Sequence, residues 1–101
     1  MIQRIVLIKL TPAFATDEGR AEVARSAIAT LSQIPQVKGV ESGVPADEAS
    51  ARSWDVSIAL RFDAAEDVEP YKSHPIHRRW VDEWLAPRRE VLKAWSFALQ
   101  G

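Results

Sequence analysis

The first predicted strand has apolar side chains on both of its faces, and this constrains the fold more than any other feature. Residues Ile2, Val6, Ile8 and Leu10 point to one side of the strand, and Ile5 and Leu7 point to the other. The last predicted strand offers Trp95 and Phe97 on one face and Leu92, Ala94 and Ala98 on the other. A sheet that contains such strands needs apolar cover on both sides.

Six elements are predicted in the order β-α-β-β-α-β. The strands are expected at residues 2–10, 37–44, 54–62 and 91–99, and a linker is expected at residues 45–53. The first helix begins after the N-cap Thr16 and ends before Pro35; the second begins at Pro75, after a short helical turn, and ends before Pro87. This order predicts one α+β domain over residues 1–101: a ferredoxin-like βαββαβ sandwich with a four-stranded antiparallel sheet and two helices on one face.

The other face of that sheet is expected to meet a second sheet. A chain of 101 residues buries roughly 60 to 65% of its unfolded surface and cannot easily leave an apolar face in water. The simplest partner is a second copy of the chain across a two-fold axis, with the two sheets closing into a β-barrel.

Composition excludes several classes of function. The chain has 13 Lys plus Arg against 14 Asp plus Glu and a formal net charge of -1, so nucleic acid and anionic membranes are not expected partners. It has no cysteine, which excludes a disulfide, a thiolate metal site and a thiol nucleophile. Its apolar opening is too short to span a bilayer and lacks the features of a signal peptide, so a cytoplasmic location is expected.

The chain resembles the stress-responsive dimeric α/β-barrel domain family nearly from end to end. The stretches that carry the resemblance are IQRIVLIKL, WDVSIALRFDAAEDVEPYKSHPIHRRWVDEW and LAPRREVLKAW. The most specific part, Tyr71-Lys72-Ser73-His74-Pro75-Ile76-His77, is close to the family's Tyr-x-x-His-Pro-x-His segment. The resemblance implies a ferredoxin-like protomer that forms a homodimeric β-barrel. Most members have no assigned biochemical function, but a few are polyketide cyclases whose catalytic Tyr and His correspond to Tyr71 and His77.

Three positions depart from the family pattern. Arg4 stands where many members have a strand-one His, and Val56 stands where the cyclases have a His in strand three. Pro70 replaces a usual helix former and removes a backbone donor directly before Tyr71.

His77 is the main candidate for chemistry, because an imidazole can act as a general base near neutral pH and a nearby Tyr71 could donate to a developing enolate oxygen. In the alternative interpretation, His74 only caps the helix that Pro75 begins, and His77 is a core-edge side chain bonded to a backbone carbonyl. A metal site is not expected, because the chain has only 2 His and no Cys and Asp82 would lie on another helix face.

Arg4, Trp80 and Trp84 are further candidates for ligand binding. Trp80 and Trp84 could line an aromatic pocket, although core packing and dimer contacts explain most such tryptophans. Arg4 could bind an acidic ligand group, but pairing with Asp55 or Glu41 on a neighbouring strand is the expectation.

Three functions follow as hypotheses. The first is a homodimer that binds a small apolar or aromatic molecule between sheet and helices, with Tyr71, His74 and His77 at the mouth of the pocket. The second is a cofactor-free cyclase or lyase with His77 as general base and Tyr71 as its partner, and the third, from fold analogy alone, is a cofactor-free monooxygenase. None of the three requires a cofactor, and whether the protein is an enzyme stays open.

Overall fold

The sheet is built around the first strand. In the computed structural model, which describes residues 1–101, β1 (Ile2–Leu10) lies between β3 (Val56–Phe62) and β4 (Arg89–Ala98), and β2 (Gly39–Gly43) pairs with β3 at one edge. All pairs are antiparallel, and the strand order is β2-β3-β1-β4. The predicted ferredoxin-like βαββαβ arrangement is therefore confirmed.

One face of the sheet is covered by helices. The first is α1 (Asp17–Leu31), which begins at the predicted N-cap: the Thr16 hydroxyl accepts a hydrogen bond from the Gly19 N–H at 3.0 Å. The second crossover contains a 3-10 turn (Ala65–Asp67), a short helix and a second short helix (Pro75–Arg79) that runs into a π-helical segment (Trp80–Leu85). Fifteen buried apolar residues form one core between these helices and the sheet.

The segment predicted as a linker, residues 45–53, contains a helix. We label it α2 (Glu48–Ser53), the short helix before Tyr71 α3 (Val68–Ser73), and the one that begins at Pro75 α4. Asp47 starts α2, because its carboxylate accepts from the Ser50 N–H at 2.8 Å. Since Trp54 ends this helix, β3 begins at Val56 and not at residue 54, and β2 is likewise shorter than residues 37–44.

A buried ion pair ties α1 to the end of the sheet. Asp55 is 2% exposed, and its carboxylate accepts from the Leu10 N–H at 2.7 Å and from the Arg20 guanidinium at 2.9 Å. The predicted pairing of Arg4 with Asp55 is therefore wrong: Asp55 precedes the strand and turns into the core, where Arg20 already holds it.

The opposite face of the sheet carries no helix. Trp95 and Phe97 on β4 are 47% and 52% exposed, and the register places Ile5 directly beside Trp95. As predicted, the two crossover connections cover one face and leave an apolar face open. No helix in the chain has the length and apolar character needed to cross a membrane.

Candidate functional site

A cavity of about 100 Å³ lies between the helix-facing side of the sheet and the helices of the second crossover. Eight of its 11 lining residues are hydrophobic, and the other three are Arg4, Lys72 and His77. Larger, more open depressions lie beside α2 and between α1 and α4, and neither contains Tyr71 or His77. A third, on the outer side of α3, is lined by His77 but not by Tyr71. The small cavity is therefore the place where the candidate chemical groups meet.

Tyr71 is fixed in the wall of this cavity by aromatic packing. It is 2% exposed, and its ring lies edge-on to Phe62 at 5.1 Å and 4.5 Å from the ring of His77, centroid to centroid. Pro70 does not disturb this placement, because it lies in the first turn of α3, where a backbone N–H has no intrahelical partner.

The break between α3 and α4 places the two histidines in different positions: His74 lies between the helices, and His77 lies within α4. His74 is extended and caps α4, and its Nδ1 accepts from the Ile76 N–H at 3.1 Å while Pro75 takes the first helical position. His74 is not among the residues that line the cavity. His77, half-buried one turn later, does line it.

The tautomer of His77 follows from its backbone contact. Its Nδ1 lies 2.8 Å from the Lys72 carbonyl oxygen, and since a carbonyl can only accept, Nδ1 carries the proton. The neutral ring then keeps Nε2 as a free acceptor. Burial lowers the pKa of His77 below 6.5, and the positive charge of Arg4 lowers it further, whereas the hydrogen bond to the Lys72 carbonyl acts in the opposite direction. His77 is therefore an uncharged base at neutral pH.

Tyr71 is the complementary donor. Burial raises the pKa of its phenol to about 12, against the opposing effect of Arg4. The hydroxyl stays protonated at neutral pH, so Tyr71 offers a hydrogen-bond donor beside the acceptor of His77.

Arg4 is the charged residue of the cavity lining that forms no ion pair within the chain. It lies on the helix-facing side of β1, opposite Leu60, and its Nη1 donates to the Ser96 hydroxyl at 3.0 Å. The predicted alternative partner Glu41 pairs with Ala59 in the register and so lies on the other face of the sheet. The expected pairing with Glu41 is therefore also wrong.

The two helical tryptophans are placed differently. Trp80 is 5% exposed, lines the cavity and donates from Nε1 to the Ser26 hydroxyl at 2.9 Å. Trp84 stacks on Trp80 with ring centroids 5.8 Å apart and is covered by the Arg88 guanidinium, outside the cavity. Both tryptophans line the open depression between α1 and α4, and Trp80 also lines the small cavity.

Lys72 was not identified from the sequence as a site residue. Its carbonyl oxygen orients His77, and the residue is part of the cavity lining. The only signal for this contact in the sequence was His74-Pro75, which ends α3 at Ser73. The break between the helices brings the carbonyl of Lys72 to the imidazole of His77, five residues later. No group of three or more His, Cys, Asp or Glu side chains is arranged to hold a metal ion.

Comparisons with known proteins agree with this architecture. Residues 2–96 match the model of the stress responsive A/B barrel domain family, and no curated protein matches the chain. Among solved structures, a dimeric ferredoxin-like protein of unknown function from Thermobifida fusca is 26% identical, with a TM-score of 0.77 over 97% of this chain and 90% of that one. A dimeric ferredoxin-like protein from Bacteroides fragilis is 25% identical, with a TM-score of 0.75 over 97% and 95%. The hydroxynitrile lyase of Passiflora edulis is 14% identical, with a TM-score of 0.76 over 98% and 93%, and shares the fold.

Proposed function

The protein belongs to the stress responsive A/B barrel domain family, and we propose that it is a homodimer that binds a small, mainly apolar molecule in the cavity between sheet and helices. The observation that carries this proposal is the cavity itself, an apolar space with its polar groups gathered beside Tyr71 and His77. Its volume of about 100 Å³ is below that of pockets for drug-sized molecules, which favours a ligand of one ring or a short chain.

A chain without cysteine is suited to a reducing cytoplasm.

The chain's 2 histidines provide a built-in control for a test of ligand binding. His77 lines the cavity and His74 does not, so an NMR titration of both imidazoles with aromatic and polyketide-like ligands reports on the cavity and on a nearby reference site. We expect a binding ligand to move the His77 resonances and leave those of His74 in place, with His77→Ala used for assignment. If every ligand leaves His77 unchanged, the proposal fails.

The homodimer is proposed from the open face of the sheet. Trp95 and Phe97 are about half exposed in one chain, and the two dimeric structures named above support a second copy as their cover. Sedimentation at micromolar concentration should give a dimer. Trp95→Glu should shift it towards monomer, whereas Arg25→Glu on the exposed surface of α1 should not. A monomeric wild-type chain at that concentration would refute the barrel.

A second candidate function is proton transfer by His77, of the cyclase or lyase kind. The specific observation in its favour is the fixed tautomer, which keeps Nε2 of His77 free to accept a proton from carbon while the Tyr71 hydroxyl donates to the resulting enolate oxygen. Oxygenation without a cofactor rests on fold analogy alone, and no feature of the cavity favours it.

Substitution separates catalysis from binding. Under the second candidate, His77→Ala abolishes turnover of a bound ligand, whereas under simple binding it changes only the affinity. The matched control is His74→Asn, because asparagine is also a good N-cap for α4 and the residue lies outside the cavity. Equal turnover by His77→Ala and the wild type would exclude His77 as the base.

A further inference from the structure

We propose that the ligand of the cavity carries a carboxylate and that Arg4, in the lining of the cavity, binds this group. This inference rests on the proposed function, because it names the chemical class of the molecule that the cavity takes. Its basis is the one charge in the cavity lining that has no counter-charge within the chain.

The positive charge of Arg4 is uncompensated. A guanidinium has five N–H donors. In Arg4, Nη1 donates to the Ser96 hydroxyl oxygen at 3.0 Å. The two carboxylates that the sequence suggested as partners of Arg4 do not pair with it. Asp55 is held by Arg20, and Glu41 lies on the other face of the sheet. A half-buried arginine beside apolar residues is stable when it is paired or wet, so an anionic ligand would supply what the chain does not.

The other polar groups of the cavity do not duplicate this role. The ammonium group of Lys72 is 3.2 Å from the Glu69 carboxylate and is already paired. His77 and Tyr71 are both uncharged at neutral pH, for the reasons given above. Arg4 is therefore the free cation of the lining, and it lines the same cavity as Tyr71 and His77.

The chemistry of the site fits a small planar acid. A guanidinium binds a carboxylate through two parallel N–H···O bonds, and the Tyr71 hydroxyl supplies one more donor nearby. The apolar wall formed by Val6, Ile58 and Trp80 accepts the hydrocarbon body. An amide of the same shape fills the cavity equally well but lacks the charge that Arg4 recognises, so the acid and its amide form a matched pair of probes.

The test compares two such pairs, benzoate with benzamide and crotonate with crotonamide, by calorimetry and by the NMR shifts of His77. In the wild type at pH 7.5 we expect each acid to bind about tenfold more tightly than its amide, as a charge-assisted pair at a half-exposed site contributes on the order of one factor of ten. Arg4→Gln should remove the preference and Arg4→Lys should keep only part of it. Arg25→Gln, at an exposed arginine on α1, should retain it in full.

Each outcome bears on one of the two proposals. Equal affinity for acid and amide in the wild type, or an unchanged preference in a folded Arg4→Gln protein, overturns the carboxylate inference and leaves the binding function intact. Loss of acid binding in Arg4→Gln with amide binding preserved supports it. If neither member of either pair moves the His77 resonances, the small-molecule function itself fails. Circular dichroism of each variant separates lost recognition from lost structure.

Discussion

Removing the carboxylate of Asp55 should destabilise the protein more than any other single loss of charge. Asp55→Ala removes the acceptor for the buried Leu10 N–H and both contacts to Arg20, whose side chain is only 18% exposed. What remains is a largely buried guanidinium with one exposed carboxylate, Asp17, 3.8 Å away. The perturbation therefore leaves two polar groups without good partners at the junction of α1, β1 and β3.

The expected cost follows from those two groups. Breaking a buried ion pair by removing one partner costs about 3 to 5 kcal/mol, and an orphaned buried N–H costs about 1 to 3 kcal/mol. The two losses overlap because one side chain causes both, so we expect the free energy of unfolding to fall by about 4 kcal/mol for Asp55→Ala. Asp55→Asn keeps an oxygen for Leu10 and should cost about 2 kcal/mol.

Urea unfolding followed by tryptophan fluorescence measures these values, at one fixed protomer concentration because dimerisation contributes to apparent stability. Asp17→Asn is the matched control: it also removes a carboxylate near Arg20, but an exposed one in the first turn of α1, and should cost less than about 1 kcal/mol. Adding Arg20→Ala to Asp55→Ala should cost little more, because the stranded charge is then gone. A loss below about 1 kcal/mol for Asp55→Ala, with an unchanged urea dependence, would refute the reasoning.

Three further predictions concern the cavity and the start of α1. The pKa of His77 in the folded protein lies below 6.5, so the unfolded state takes up the proton first as the pH falls. The free energy of unfolding should therefore decrease as the pH drops from 6.5 towards the folded pKa, and His77→Gln should lack this decrease. Tyr71 is the 1 tyrosine of the chain, so an ultraviolet titration of the folded protein should show its phenol ionising at about pH 12; ionisation near pH 10 would contradict its burial. Gly19→Ala should lower the melting temperature, since the added Cβ would overlap the Phe14 carbonyl oxygen, whereas Gly39→Ala meets its nearest atom at 3.9 Å and should not clash.

The fold could be predicted because its signals are local. In β3, the residues at 56, 58, 60 and 62 are buried and those between them are not, which is the period-two pattern read from the letters. The Thr16 cap and the His74-Pro75 break act on the backbone within a few residues, so they need no knowledge of the tertiary structure.

Asp55 shows where alternation misleads. A strand predicted from residue 54 puts Asp55 on the outer face, but α2 delays β3 to Val56. Asp55 is then not subject to the strand period, and its side chain turns inward to Arg20. A short helix without apolar periodicity, capped by Asp47, gives little signal in the sequence.

By itself, the sequence determined the order of the four strands and of the two main helical connections, the two faces of the central strand and the presence of Tyr71, His74 and His77 in one segment, because covalent spacing fixes these. Only the tertiary structure decided their chemical states. The Lys72 carbonyl that sets the His77 tautomer, the register that separates Arg4 from Glu41 and the burial that keeps Tyr71 protonated all depend on groups brought together by packing. Hydrogen bonding, charge pairing and desolvation act through distances in space, and a sequence specifies those distances only once the chain is folded.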